Sequence, residues 1–416
     1  MKRIQKTAFY SYRIGSLPRG CSLCVRGQKL VLFVTGLCPR RCYYCPISDK
    51  KYNKDVVYAD EWPTDNIKNI IKEAKLIDAK GAGFTGGDPL CRPDRTIFYL
   101  KTLKDKFGKS FHIHLYTSMD LINRSILERL YNAGLDEIRF HLDLDNKALW
   151  NKITFALSFP WDIGIEIPVI PKKEKAIKDI INFIFAINTD NSSKNKIKFL
   201  NLNELEIADN SINKLKKLGY KTKSELSYAV KGSEELAFKI LNYIIFKEGK
   251  GRNKKGRLNV HYCTATLKDK IQLTNRIKRR ARNTKKKYDV LTNEGTLIRG
   301  AIYLANLKPD FNYRRRLETI LNNKKKKRIY LNKLRNIREE LMRDFRINLI
   351  EIDKNKLRLL TSPEAVKRIK NILNSSTLGN PDLIHDKRFF RRREIFLAIV
   401  EEYPTYDQLE IDIQFL

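Results

Sequence analysis

Between residues 30 and 220, short apolar runs alternate with amphipathic stretches at a spacing of roughly thirty residues, the length of one βαβ repeat. Leu30-Val31-Leu32-Phe33-Val34 is the first run. Others follow at 81–84, 111–117, 137–142, 163–170 and 197–202, and each reads as a buried strand. Helical periodicity fills the gaps, at about 64–79, 93–106, 123–133, 145–157, 174–188 and 209–218. In the first of these, Ile67, Ile70, Ile71, Ala74 and Ile77 share one face behind the opening Pro63-Thr64-Asp65. Six such units give an α/β fold around a parallel sheet. Functional groups in such folds gather in the loops after the carboxyl ends of the strands.

The first of those loops is Gly36-Leu37-Cys38-Pro39-Arg40-Arg41-Cys42-Tyr43-Tyr44-Cys45. Three thiolates at C-x3-C-x2-C spacing can ligate three irons of a four-iron, four-sulfur cluster. The fourth iron is then open to chelate a small molecule. A structural zinc site usually takes four ligands and favours paired C-x2-C knuckles. The second strand ends in the glycine turn Gly86-Gly87-Asp88-Pro89, and glycine lets backbone groups approach a ligand closely.

With Tyr44 as the aromatic residue before the last cysteine, the loop resembles the hallmark of the radical S-adenosylmethionine (SAM) superfamily. The similarity is greatest to archaeal members related to pyruvate formate-lyase activating enzyme. The resemblance implies a partial (βα)6 TIM-like barrel over residues 30–250. It implies a 4Fe-4S cluster on Cys38, Cys42 and Cys45, fed by an electron donor such as ferredoxin or flavodoxin. SAM is then cleaved to a 5′-deoxyadenosyl radical that abstracts hydrogen from the substrate. The turn Gly86, Gly87, Asp88 and Pro89 resembles the superfamily's Gly-Gly-Glu-Pro, which contacts the amino group of SAM; aspartate here replaces glutamate. Tyr44 is expected near the adenine and Ser118, beside Thr117, near the ribose or carboxylate. His141 and Asp143, with Asn201, Asn203 and Glu204, are further polar groups at the rim.

Over the whole chain, 83 Lys and Arg stand against 47 Asp and Glu, a net charge of +36. From 250 to 290 there are 15 basic residues against Asp269 and Asp289 alone. A field of that sign attracts polyanions. A basic helix over 267–285 places Arg276, Arg279 and Arg280 on one face, where forked donors suit the phosphates of RNA. Tyr288 and Phe311 are candidates for stacking on bases, although a core role is commoner for such residues. The expected substrate is therefore RNA, as in tRNA or rRNA modification. The alternatives are formation of a glycyl radical on a partner enzyme and action on a metabolite.

A lead-in over 1–29 carries Cys21-x2-Cys24, and Val260-His261-Tyr262-Cys263 reads as a short strand with His261 and Cys263 on one face. Two plus two gives a Cys3His zinc site. An auxiliary cluster on Cys21, Cys24 and Cys263, or plain packed thiols, are the alternatives. Cys91 reads as a packed thiol. A Gly/Lys/Arg linker at 250–255 is expected to open a basic α+β C-terminal domain over 251–416. No apolar run of about eighteen residues exists, and no apolar signal core follows Met1-Lys2-Arg3. No membrane contact and a cytoplasmic location are expected.

Overall fold

The computed structural model describes residues 3–190, 195–250, 258–375 and 395–416. Two units are separable, Met1–Arg276 and Ile277–Leu416.

The first unit runs through β1 (Gln5–Lys6), β2 (Tyr12–Ile14), α1 (Arg19–Val25), β3 (Lys29–Thr35), β4 (Tyr58–Ala59), β5 (Trp62–Pro63), α2 (Ile67–Leu76), β6 (Gly81–Gly86), α3 (Pro93–Phe107) and β7 (His112–Ser118). It continues with α4 (Arg124–Asn132), β8 (Glu137–His141), α5 (Ile153–Ala156), β9 (Asp162–Val169), α6 (Glu174–Thr189), β10 (Ile197–Glu204), α7 (Ile212–Lys217), α8 (Ser233–Lys250), β11 (Asn259–Cys263) and α9 (Ala265–Leu267). A π-helical turn over Lys268–Leu273 leads into α10 (Thr274–Thr284), where the unit ends.

Strand order is β1-β2-β11-β10-β9-β8-β7-β6-β3-β4-β5. All pairs from β3 through β6, β7, β8, β9 and β10 to β11 are parallel. The expected parallel α/β sheet is therefore present, and its two edges do not pair with each other. Leu30, Leu32 and Val34 of β3 are fully buried on the face that packs under the helices. Lys29 and Thr35 occupy the other, inward face of the same strand. Helix α2 starts later than its periodicity alone suggests. Asn66 caps it by accepting from the Lys68 amide at 2.9 Å, which satisfies an otherwise orphan donor.

Two expectations about boundaries are corrected. The strand at 259–263 belongs to the first sheet, paired in register Leu200↔Val260 and Leu202↔Tyr262, and not to a C-terminal domain. Burying Val260 and Tyr262 completely against the first core is what draws it there. The division falls at Arg276, not at 250, and the linker expected at 250–255 lies outside the described residues apart from Lys250.

The second unit contains β12 (Val290–Leu291), β13 (Leu297–Leu304), α11 (Tyr313–Leu321), α12 (Lys324–Asp344), β14 (Glu351–Asp353), β15 (Arg358–Thr361), α13 (Pro363–Ser375), β16 (Ile395–Glu402) and β17 (Glu410–Phe415). Its sheet is antiparallel in the order β14-β15-β13-β16-β17, with β12 on β13. The α+β character agrees with the sequence reading. α11 and α12 are separated at Asn322-Asn323, where Asn323 caps α12. On α12, Leu334, Ile337 and Leu341 are buried at i, i+3 and i+7, one apolar stripe against the second core.

Candidate active site

The cysteine loop is fixed from both sides. Thr35, at the end of β3, donates to Asp55 at 2.9 Å, and Asp55 is gripped by Arg92 and Arg95. Those guanidinium groups hold the Asp55 carboxyl well below the usual range. From the other side, Arg40 pairs with Asp120 at 2.6 Å and donates to the His141 carbonyl at 3.0 Å. Tyr44 is buried and its hydroxyl lies 3.0 Å from Nε2 of His141. The other ring nitrogen, Nδ1, lies 3.1 Å from the Glu166 carbonyl and must donate to it. Nε2 is then the acceptor and Tyr44 the donor. Burial holds His141 neutral, with its pKa down at about 4.

The glycine turn packs on this loop. Gly87 donates to the Thr35 carbonyl and Asp88 to the Leu37 carbonyl, both at 2.8 Å. A Cβ on Gly87 would fall 2.3 Å from the Leu37 oxygen, so only glycine fits. Asp88 does not face the cavity. Its carboxylate accepts from the amides of Leu90 and Ser118 (2.9 Å each) and from the hydroxyls of Thr117 (3.0 Å) and Ser118 (2.7 Å). It ties the end of β6 to the end of β7 and is 1% exposed. Burial raises its pKa while these donors oppose the rise.

A cavity of about 730 Å³ opens at this end of the sheet. Cys38, Cys42, Cys45, Tyr44, Gly86, Gly87, Ser118, His141 and Asn203 all line it. Asp88 and Pro89 do not, because the turn presents its glycines inward and commits the aspartate to the sheet. The three thiols line the same cavity and are a donor set suited to iron. As they stand, no three His, Cys, Asp or Glu side chains among the described residues converge on one point. Burial pushes the Cys38 thiol up to about 12, and ligation to a metal would offset that cost. The residues fit a 4Fe-4S cluster in donor type, and all three line one cavity.

The zinc tetrad is corrected, because its members have other partners. Cys21 Sγ accepts from Asn201 at 3.2 Å, and His261 Nε2 is engaged by Ser11 at 3.1 Å. Cys263 lies 3.9 Å from the Gln272 amide. Cys24 lines the main cavity instead. The auxiliary-cluster alternative finds no convergent set either. Cys91 is half-buried at the end of the turn 89–91.

The RNA-binding arginines are corrected as well. Arg276 pairs with Asp60 at 3.1 Å, Arg280 is buried and Arg279 has a partner of its own. The face at i, i+3 and i+4 is therefore spent on packing. Tyr288 is buried, whereas Phe311 is fully exposed.

Sequence reasoning missed the wall below the rim. Glu137 accepts from Arg139 Nε at 2.5 Å, and Arg139 reaches Glu166 at 2.8 Å and the Tyr116 hydroxyl at 3.0 Å. Glu166 also accepts from Asn201 at 2.8 Å and Asn203 at 2.9 Å. Tyr116, Arg139, Glu166 and Asn203 line the same cavity. The signal was present as polar residues at alternate positions in strands otherwise read as buried, such as His112-x-His114-x-Tyr116 and Glu137-x-Arg139-x-His141. Helix α1 closes the amino-terminal end of these strands. Its Gly20 amide donates to Glu137 at 3.3 Å, and a Cβ there would meet Arg139 at 2.4 Å.

Comparison with known proteins agrees with this geometry. The family model described as the radical SAM superfamily matches residues 32–155. A putative glycyl-radical enzyme activating enzyme of Methanocaldococcus jannaschii is 42% identical over 299 residues, covering 70% of this chain and 74% of the relative. A probable GTP 3′,8-cyclase of the same organism is 28% identical over 127 residues, 30% of this chain and 40% of the cyclase. Among solved structures, a radical S-adenosylmethionine methyltransferase of Kitasatospora setae superposes with a TM-score of 0.35 at 9% identity, covering 65% of this chain and 55% of the other. That likeness is too weak to argue from.

Proposed function

The chain belongs to the radical SAM superfamily, and from that membership we propose that it is an activase, forming a radical on a backbone glycine of a partner enzyme. The observation that carries this reading is the 42% identity to a relative named as a putative glycyl-radical enzyme activating enzyme. It favours an activase over the RNA modification that the net charge suggested.

In this reading Cys38, Cys42 and Cys45 hold a 4Fe-4S cluster, and the backbone of Gly86 and Gly87, with Ser118 and Asn203, cradles SAM. When bound, these groups supply one electron and a 5′-deoxyadenosyl radical that takes a hydrogen atom from the substrate. The chain's own residues position and shield. Arg40 and Tyr44 fix the cysteine loop against β7 and β8 through Asp120 and His141. Arg139 and Asn203 present Glu166 as an oriented acceptor on the cavity wall. Helix α1 keeps water from the far end. A ferredoxin or flavodoxin serves as electron donor.

The test uses anaerobically reconstituted protein with dithionite and SAM. Release of 5′-deoxyadenosine is expected, and it should rise with the protein fraction of a cell extract together with a glycine-centred doublet in electron paramagnetic resonance. A rise with the RNA fraction and a modified nucleoside would reverse the assignment. No release from a protein loaded with four irons would sink it.

A further inference from the structure

Among the described residues, a dense run of unpaired cations lies in the second unit, on helices other than the one that carries Arg276, Arg279 and Arg280. Residues 311–338 contain eleven Lys and Arg and a single acid, Glu318. Arg316 pairs with Asp310, and Arg338 donates to the Ile350 carbonyl. Arg314, Arg315, Lys324, Lys325, Lys326 and Arg328 are exposed and form no ion pair among the described residues. Because Leu334, Ile337 and Leu341 take the core side of α12, its cations are left on the solvent side.

Fold stability does not explain this placement. The first turns of α11 and α12 carry basic residues and no acidic ones. The macrodipole makes cations unfavourable there, and neighbouring like charges repel one another. A feature that breaks a local rule without a compensating contact points to a partner. Phe311, which precedes α11 by two residues, is fully exposed. An acidic protein surface has little use for a free flat ring beside a guanidinium row. An unpaired base does, because its π face stacks on an aromatic side chain while its phosphates meet the cations.

We propose that α11 and α12 form a docking face for single-stranded nucleic acid, with Arg314, Arg315 and Lys324–Arg328 tracking phosphates and Phe311 stacking on a base. The face belongs to the second unit and the cavity residues to the first, and the proposal holds whichever substrate the cavity takes.

The test is fluorescence anisotropy of the full-length protein with a labelled 20-mer of uridylate, from 50 to 300 mM KCl. Binding should weaken linearly in log–log form, with a slope of roughly −0.7 per phosphate neutralised. Replacing Lys324, Lys325, Lys326 and Arg328 by glutamine should flatten the slope by about three and weaken binding at least tenfold at low salt. Phe311→Ala should weaken binding by about tenfold with the slope unchanged. The fourfold variant should melt no lower than the parent, since cations leave a helix amino terminus; a lower melting point would mean that these side chains serve the fold. Absence of salt-dependent binding, or binding retained by the fourfold variant, would overturn the proposal. Equal competition by polyglutamate with no effect of Phe311→Ala would transfer the face to an acidic protein.

Discussion

Tyr44 donates a hydrogen bond to Nε2 of His141 at 3.0 Å, which binds the cysteine loop to the end of the fourth parallel strand through a neutral ring. Tyr44→Phe leaves a buried acceptor without its donor. A loss of about 1–2 kcal/mol in unfolding free energy is expected, measured by denaturant titration. A variant as stable as the parent would mean that the contact is incidental.

Asp88→Glu restores the residue found in the superfamily's turn, yet it is expected to destabilise. The aspartate is 1% exposed and already accepts from Leu90, Thr117 and Ser118. One extra methylene in that space costs about 1–3 kcal/mol. Thermal unfolding of the two proteins side by side decides the matter.

Metal analysis separates the two cysteine sets. Cys38→Ala, Cys42→Ala and Cys45→Ala together should abolish iron uptake on reconstitution. Cys21→Ala with Cys24→Ala should leave iron unchanged and remove no zinc, because Cys21 and His261 have separate partners and Cys24 lines the cavity. Zinc in the parent that vanishes from the pair variant would restore the tetrad.

Acid should destabilise the chain earlier than carboxylate protonation alone would. Burial lowers the pKa of both His141 and His261 from 6.5 to about 4. Between those values the unfolded chain binds protons that the folded chain does not. Stability therefore falls as pH drops from 6.5 to 4, by roughly 3 kcal/mol for each such ring. Glu137, held down to about 2 chiefly by Arg139 against its own burial, adds a further loss between pH 4.5 and 2. Urea midpoints at pH 7.5 and 5 test the first window. Equal midpoints would show that these rings are protonated in place.

Arg139→Met should cost about 3–5 kcal/mol, because Glu137 and Glu166 would lose their shared cation inside the barrel. Chemical denaturation of the apoprotein measures this without any cofactor.

Much of the first unit was legible because its strands and helices follow strict periods. The cysteine loop and glycine turn were legible because few chemistries need that spacing. What escaped was set by tertiary partners. Val260 and Tyr262 read equally well as a new domain's first strand until β10 offers its open edge. Arg276 and Arg280 look free on a helical wheel, and only packing shows them occupied. The run Ile395–Glu402 went unread, although it pairs on both sides in the second sheet, between β13 and β17. Asp88 sits where the motif predicts, but its side-chain direction depends on Thr117 and Ser118 thirty residues away.

Helix α1 places Gly20 against the Arg139–Glu137 pair and Cys24 on the cavity wall. A chain trimmed to begin at β3 would keep every cysteine of the loop and every glycine of the turn. It would also be a vessel without a base. Oxygen and bulk solvent would reach the cavity from beneath, and any short-lived species formed there would be quenched before reaching its target. The first two dozen residues, singled out in the sequence only for their Cys21-x2-Cys24 pair, thus decide whether the chemistry at the opposite rim is productive or wasted.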